Sequence, residues 1–138
     1  MAERDRDARV GHRPGPRRGR DLHAQRLRQG FVVTRGAAGS TAFLAGGERI
    51  DIPALAIDAL DTTGAGDTFA GGLVGYIASQ GKSVVSFEDL RRGVVYGSVL
   101  ASYNVEAFSL ERMRTLTKEE IRARYDLFRA MTAVDEIA

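Results

Sequence analysis

The chain of 138 residues is long enough for one compact domain and too short for two, and at this size about two thirds of the unfolded surface becomes buried on folding. It contains no cysteine, which excludes disulfides and thiolate metal sites, and no apolar run approaches the roughly 20 residues that a membrane-spanning helix needs. The absence of cysteine fits a cytoplasmic protein, and we expect no membrane partner.

Residues 1–30 differ in composition from the rest of the chain. They hold nine arginines against four acidic residues, a net charge of +5, whereas residues 31–138 hold 11 basic and 14 acidic residues, a net charge of −3. The first segment has few apolar residues and no helical or alternating period. We therefore expect residues 1–30 to be disordered.

Three interpretations of this arginine-rich leader remain open. Its composition is what GC-rich DNA yields when it is read in the wrong frame, which favours a frameshifted or misassigned start. A passive tail is the second interpretation. A basic arm for nucleic acid is the least favoured, because the segment lacks lysine and aromatic residues and its arginines alternate with acids.

Short β-rich segments follow the leader. FVVT (31–34) predicts a strand, and the turn RGAAG leads to a second predicted strand, STAFL (40–44). A tight AGGE connection precedes RIDIPAL (49–55), where apolar and polar residues alternate, so the last two segments predict a hairpin. AIDAL (56–60) predicts one further short extended piece.

Three helices are predicted in the rest of the chain. The first spans 67–79 and carries one apolar stripe, and the second spans about 87–103 after Ser86 as a candidate N-cap. Thr117 and Glu120 form a capping-box pattern that opens the third. We expect the apolar stripes of all three helices to pack in the core.

The sequence GAGD (64–67), which we call the glycine turn, lies between extended chain and the first helix. Glycines allow the backbone to approach a ligand closely, and the free amides of a helix N-terminus form an anion site suited to phosphate. Asp67 then has two interpretations. It is either a base that accepts the proton of a substrate hydroxyl beside the phosphate, or a cap whose carboxylate complements the helix dipole.

Three motifs together carry a resemblance to a known family. DTTGAGDTFAGG (61–72) closely resembles the C-terminal signature of the ribokinase-like, or PfkB, family of carbohydrate and nucleoside kinases. VVTRGAAGS (32–40) is similar to the earlier nucleotide-binding segment of that family, and GVVYGSVLASY (93–103) to its adenine-side helix. The resemblance covers about residues 31–131. It implies part of a three-layer α/β/α fold, with a parallel-sheet remnant, a hairpin and C-terminal helices.

The resemblance also implies roles for the residues of the signature. Asp67 is the expected catalytic base for the acceptor hydroxyl. The backbone of the turn is the expected anion hole for the transferred phosphate, which involves Gly64, Ala65 and Gly66. The Asp61 carboxylate and the Thr63 carbonyl match positions that in many members hold a monovalent cation such as potassium.

The nucleotide side is implied by the other two motifs. Thr34 and Gly36 are expected to touch ATP, which brings Mg²⁺ with it. Gly97 and Ser98 are expected on the adenine side, although Tyr96 stands about where many members have asparagine.

Full-length members of the family are much longer than this chain, and their N-terminal half supplies most acceptor contacts. Residues 31–138 therefore resemble the C-terminal portion of such a kinase domain. The implied function is ATP-dependent phosphotransfer to a hydroxyl of a sugar, a nucleoside or a related small molecule. The alternative is an inactive fragment that binds nucleotide weakly or serves only as an interaction module, and an exposed sheet edge leaves room for a homo-oligomer.

Overall fold

The computed structural model describes residues 30–132, so the predicted disorder of residues 1–30 falls outside it except at Gly30. The described elements are three strands and four α-helices: β1 (Gly30–Thr34), β2 (Ser40–Leu44), β3 (Arg49–Ile52), α1 (Ala65–Ser79), α2 (Phe87–Asn104), α3 (Glu111–Thr115) and α4 (Lys118–Met131). A short 3₁₀ helix, Gly36–Ala38, lies between β1 and β2. Among residues 30–132, no helix combines the length and the apolar character that crossing a membrane requires.

The three strands form one sheet in the order β1-β2-β3, and both pairings are antiparallel. The β2–β3 hairpin is closed by the Leu44 amide, which donates to the Glu48 carbonyl at 2.9 Å, and Gly47 takes a left-handed φ of 94° in the turn. The predicted strands and hairpin are confirmed. The expected parallel pairing is not found within the described residues.

The segment 56–60, predicted as a short extended piece, pairs with none of the described strands. No strand is assigned there, and β3 ends immediately before Pro53, which cannot donate a hydrogen bond to a sheet. The segment instead attaches to the end of α2, where the Leu60 amide donates to the Val105 carbonyl at 2.7 Å. Residues 56–60 therefore form an irregular connection, because no neighbouring strand is available to pair with them.

Two reciprocal capping boxes fix the starts of α2 and α4. At α2, the Ser86 hydroxyl accepts the Asp89 amide at 3.1 Å, and the Asp89 carboxylate accepts the Ser86 amide at 3.1 Å. Thr117 and Glu120 make the same pair of bonds at α4. Each box satisfies two amides that the helix leaves free, so both predicted N-termini are confirmed.

The core lies where α2 meets the other elements. α2 packs against α1 and α4 and also against β2 and β3. The most buried side chains come from the sheet, α2 and α4, and include Ala42, Ile52, Val94, Val99 and Phe128. The short helix α3 was not predicted, because its five residues include none that is buried and therefore give no apolar period.

Two carboxylates with strongly lowered pKa values make the largest contribution to the dependence of stability on acid pH. The hydrogen bond from Lys82 holds the pKa of Asp89 at about 2, and the Thr117 amide, with Arg112, holds the pKa of Glu120 at about 2. Because both pKa values are depressed, their stabilisation is complete above the unfolded values and is lost as the pH falls through the folded ones. The free energy of unfolding should therefore be level near neutrality and fall between about pH 4 and pH 2.

Urea unfolding across this pH range measures the effect. Asp89→Asn should be less stable than the unmodified chain at pH 7 and should show a shallower fall toward pH 2, since one of the two groups no longer titrates. An equal slope in both proteins would contradict the role of Asp89.

Candidate functional site

The glycine turn projects backbone amides into open space. Gly64 is the N-cap of α1 in the left-handed region, with φ 78° and ψ 2°, where a side chain would be strained. The first helical bond runs from the Thr68 amide to the Gly64 carbonyl at 2.9 Å. Within residues 30–132, the amides of Gly66 and Asp67 have no partner, so they are available to an anion together with the positive end of the helix dipole.

Asp67 lies exposed in the first turn of α1. Its carboxylate makes no hydrogen bond within the described residues, and the N-cap position belongs to Gly64, which has no side chain. A hydrogen-bonded cap is therefore not observed at Asp67. What remains of that interpretation is the favourable position of a negative charge at the helix N-terminus.

Asp61 is fixed by the backbone around it. Its carboxylate accepts the Thr63 amide at 2.9 Å and the Ser109 amide at 3.5 Å. The Thr63 hydrogen bonds hold the pKa of Asp61 below its usual value, so the group is a carboxylate at neutral pH. Carboxylate and carbonyl oxygens are ligands that hard cations prefer, and Asp61 and Thr63 present one of each next to the turn.

Asn104, the last residue of α2, is a member of the site that sequence reasoning missed. It is 1% exposed, its side-chain amide donates to the Thr63 carbonyl at 3.0 Å, and its oxygen accepts the Thr68 hydroxyl at 3.2 Å. The one feature of the sequence that could have pointed to Asn104 is that a polar residue stands at the end of the apolar stripe of α2. Its partners lie about 40 residues away in the sequence, so spacing alone could not reveal them.

A central cavity of about 370 Å³ lies beside the glycine turn, within the size range typical of ligand pockets. Five of the predicted site residues line it from three separate segments: Thr34, Gly36, Ala65, Gly66 and Ser98. The apolar walls of the cavity include Leu55, Phe69, Val105 and Phe128. The structure therefore brings predicted site residues from the end of β1, the glycine turn and α2 to one cavity.

Gly97 is not part of that lining. It faces α1, where a Cβ added to it would lie 2.6 Å from the Phe69 carbonyl oxygen and 3.2 Å from the Leu73 amide nitrogen. Ser98, one residue further along α2, faces the cavity, and its hydroxyl donates to the Val94 carbonyl at 2.9 Å. Of the two predicted adenine-side residues, the structure places only Ser98 at the cavity.

Comparison with solved structures identifies the class of fold. The chain is similar to a nucleoside kinase of Methanocaldococcus jannaschii described as an archaeal member of the ribokinase family, with 27% identity, a TM-score of 0.61 and coverage of 78% of this chain and 33% of that one. Burkholderia thailandensis nucleoside kinase in complex with inosine matches with 29% identity, a TM-score of 0.62 and coverage of 80% and 34%. The predicted partial ribokinase-like fold is confirmed.

The family follows from a match of residues 17–114 to the model of the pfkB family carbohydrate kinases, and the chain belongs to that family. The match begins within the arginine-rich segment, in residues that lie outside the described structure. A nucleoside kinase of Thermoplasma acidophilum is 35% identical over 92 residues, which cover 64% of this chain and 29% of the relative. The chain spans about a third of the length of these relatives.

Proposed function

We propose that this chain is the nucleotide-binding, C-terminal portion of a kinase that transfers the γ-phosphate of ATP to a hydroxyl of a nucleoside. The observation that carries the proposal is the convergence on one cavity of Thr34 and Gly36, of Ala65 and Gly66 from the glycine turn, and of Ser98. Asp67 is the last residue of the turn and presents a carboxylate that is free of protein partners within residues 30–132. An anion site, a base and a ligand-sized cavity are thus adjacent.

The turn supports phosphoryl transfer through the partial positive charges of its free amides and through the Asp67 carboxylate. Phosphoryl transfer depends mainly on positioning and on stabilising charge on the transferred group. The amides of Gly66 and Asp67, which have no partner within residues 30–132, would supply that stabilisation. The Asp67 carboxylate accepts the proton of the acceptor hydroxyl, whose oxygen then bonds to the γ-phosphorus as the bond to ADP breaks. Mg²⁺ would arrive with ATP and would supply neutralisation of phosphate charge. Asp61 and the Thr63 carbonyl would hold a monovalent cation beside the turn.

The acceptor class is proposed from the relatives. The M. jannaschii, B. thailandensis and T. acidophilum proteins, which share 27–35% identity with this chain, are all named nucleoside kinases, and one of them is solved with inosine bound. A ribosyl hydroxyl is a weak nucleophile that needs a base, which is the role that we propose for Asp67. Nucleosides are therefore the first acceptors to test, ahead of free sugars.

The test separates binding from transfer. Calorimetric titration with ATP and Mg²⁺ measures binding, and transfer from γ-labelled ATP to inosine, adenosine, ribose and fructose measures activity. Ser98→Leu, which fills the cavity, should abolish ATP binding, whereas Val84→Leu, at a position 72% exposed and away from the cavity, should not. No ATP binding by the unmodified chain would overturn the proposal. Binding without transfer would identify the chain as an inactive nucleotide-binding portion.

A further inference from the structure

Asn104 ties the two ends of the glycine turn to the end of α2. We propose that Asn104 is a positioning residue that aims the anion-binding amides of the turn, an inference that rests on the function proposed above. Its partners are Thr63, just before the turn, and Thr68, just after it. One buried side chain therefore spans the whole segment that carries the free amides of Gly66 and Asp67.

The hydrogen-bond pattern assigns the orientation of the Asn104 amide. The Thr63 carbonyl can only accept, so the group 3.0 Å from it must be the Asn104 nitrogen, which leaves the Asn104 oxygen to accept the Thr68 hydroxyl at 3.2 Å. A flipped amide would set two oxygens against each other at the Thr63 carbonyl. Together the two hydrogen bonds fix the position of the turn relative to α2.

The turn needs this restraint because its own residues contribute few interactions that fix its backbone conformation. Gly64 has wide conformational freedom and gives the helix no side-chain cap, and the nearest atom to a Cβ placed on it would be the Asn104 nitrogen at 3.8 Å. The upstream segment is held separately, where the amides of Leu60 and Asp61 share the Val105 carbonyl. That tether acts before Thr63. Within the turn the Ala65 amide donates to the Thr62 carbonyl at 3.3 Å, which is a local bond, so Asn104 supplies the link between the turn and α2.

Burial makes the two bonds consequential. At 1% exposure, the Asn104 amide has no water to replace a lost partner, and an unsatisfied buried polar group costs about 1–3 kcal/mol. The buried Asn104 side chain is therefore explained by the two groups that it holds in place, the Thr63 carbonyl and the Thr68 hydroxyl.

Amide hydrogen exchange tests the proposal without any ligand. Asn104→Leu removes both bonds and keeps apolar bulk. We expect exchange of the hydrogen-bonded amides in residues 62–68, those of Thr63, Ala65 and Thr68, to accelerate by about tenfold. Thr68→Val removes one bond and should accelerate the same amides by a smaller factor, which keeps the test valid if Asn104→Leu does not fold. Asp89→Asn is the matched control, because it destabilises α2 at its opposite end and should leave residues 62–68 unchanged relative to the rest of the chain.

Ligand affinities test the link to function. Asn104→Leu should weaken ATP binding by about three- to tenfold while adenosine affinity stays constant, since the turn contacts phosphate and the cavity walls contact the base. An equal loss for ATP and adenosine would mean a purely structural role and would overturn the proposal, as would unchanged exchange in residues 62–68 of both variants. If the unmodified chain binds no nucleotide, the proposed function fails, and the exchange result alone decides whether Asn104 positions the turn.

Discussion

Replacing Asp67 by asparagine should lower the rate of phosphoryl transfer by about 10²- to 10⁴-fold, the usual contribution of a positioned general base. Asparagine keeps the size of the side chain and removes only the basic carboxylate. ATP affinity should stay constant or rise, because a negative charge beside the phosphate site is removed. The measurement is single-turnover transfer to inosine, with ATP binding followed by calorimetry on the same protein.

The other interpretation of Asp67 makes a different prediction. If the carboxylate only complements the dipole of α1, Asp67→Asn should cost about 0.3–1 kcal/mol of stability and leave the transfer rate unchanged. Glu119→Gln is a matched control, since Glu119 is an exposed acid in the first turn of α4, remote from the central cavity. Transfer by Asp67→Asn at the rate of the Glu119→Gln control would rule out the proposed base.

Local chemistry explains which elements could be predicted. β2 was predicted to the residue, because the turns that bound it contain glycines that the strand itself lacks. The starts of α2 and α4 were predicted because each capping box is encoded within four residues. α1 begins two residues earlier than predicted, since its N-cap is a left-handed glycine and carries no capping side chain to mark it.

The missed features depend on contacts between distant segments. The sequence around 56–60 cannot show that this segment has no partner strand. Nor can it show that its end is held by the Val105 carbonyl, which lies at the far end of α2. In the same way, the sequence shows Asn104 only as a polar helix end, and its function depends on Thr63 and Thr68 across the fold. The glycine turn could be predicted because its amides and its positive φ are local properties.

The contact between α1 and α2 depends on glycine for close approach. Gly97 abuts the backbone of α1, and Gly72 would place a Cβ 2.9 Å from the Gly97 Cα. Backbone atoms cannot rotate away as side chains can, so a methyl group at Gly97 forces the helices apart. Overpacking of this kind costs about 1–3 kcal/mol and outweighs the gain of up to about 1 kcal/mol that alanine brings to a helix.

Gly97→Ala should therefore lower the free energy of unfolding by about 1–2 kcal/mol, measured by urea denaturation. Gly75→Ala is the matched control in α1, because a Cβ there meets no atom within 4 Å, and it should stabilise the chain by about 0.5–1 kcal/mol. Gly93→Ala should fall between the two, since the nearest atom to its Cβ is the movable Leu73 Cδ1 at 2.7 Å. Equal stabilities for Gly97→Ala and Gly75→Ala would contradict the close packing.

The same variants decide between the two roles of Gly97. The family resemblance implies a nucleotide contact, and substitution of such a residue would weaken ATP binding without changing the free energy of unfolding. Substitution of a packing residue changes both together, because α1 carries the glycine turn and α2 carries Ser98, and separating the helices widens the cavity between them. Since a Cβ added to Gly97 would meet the backbone of α1 at Phe69 and Leu73, and Gly97 does not line the cavity, we expect the coupled loss of stability and ATP affinity.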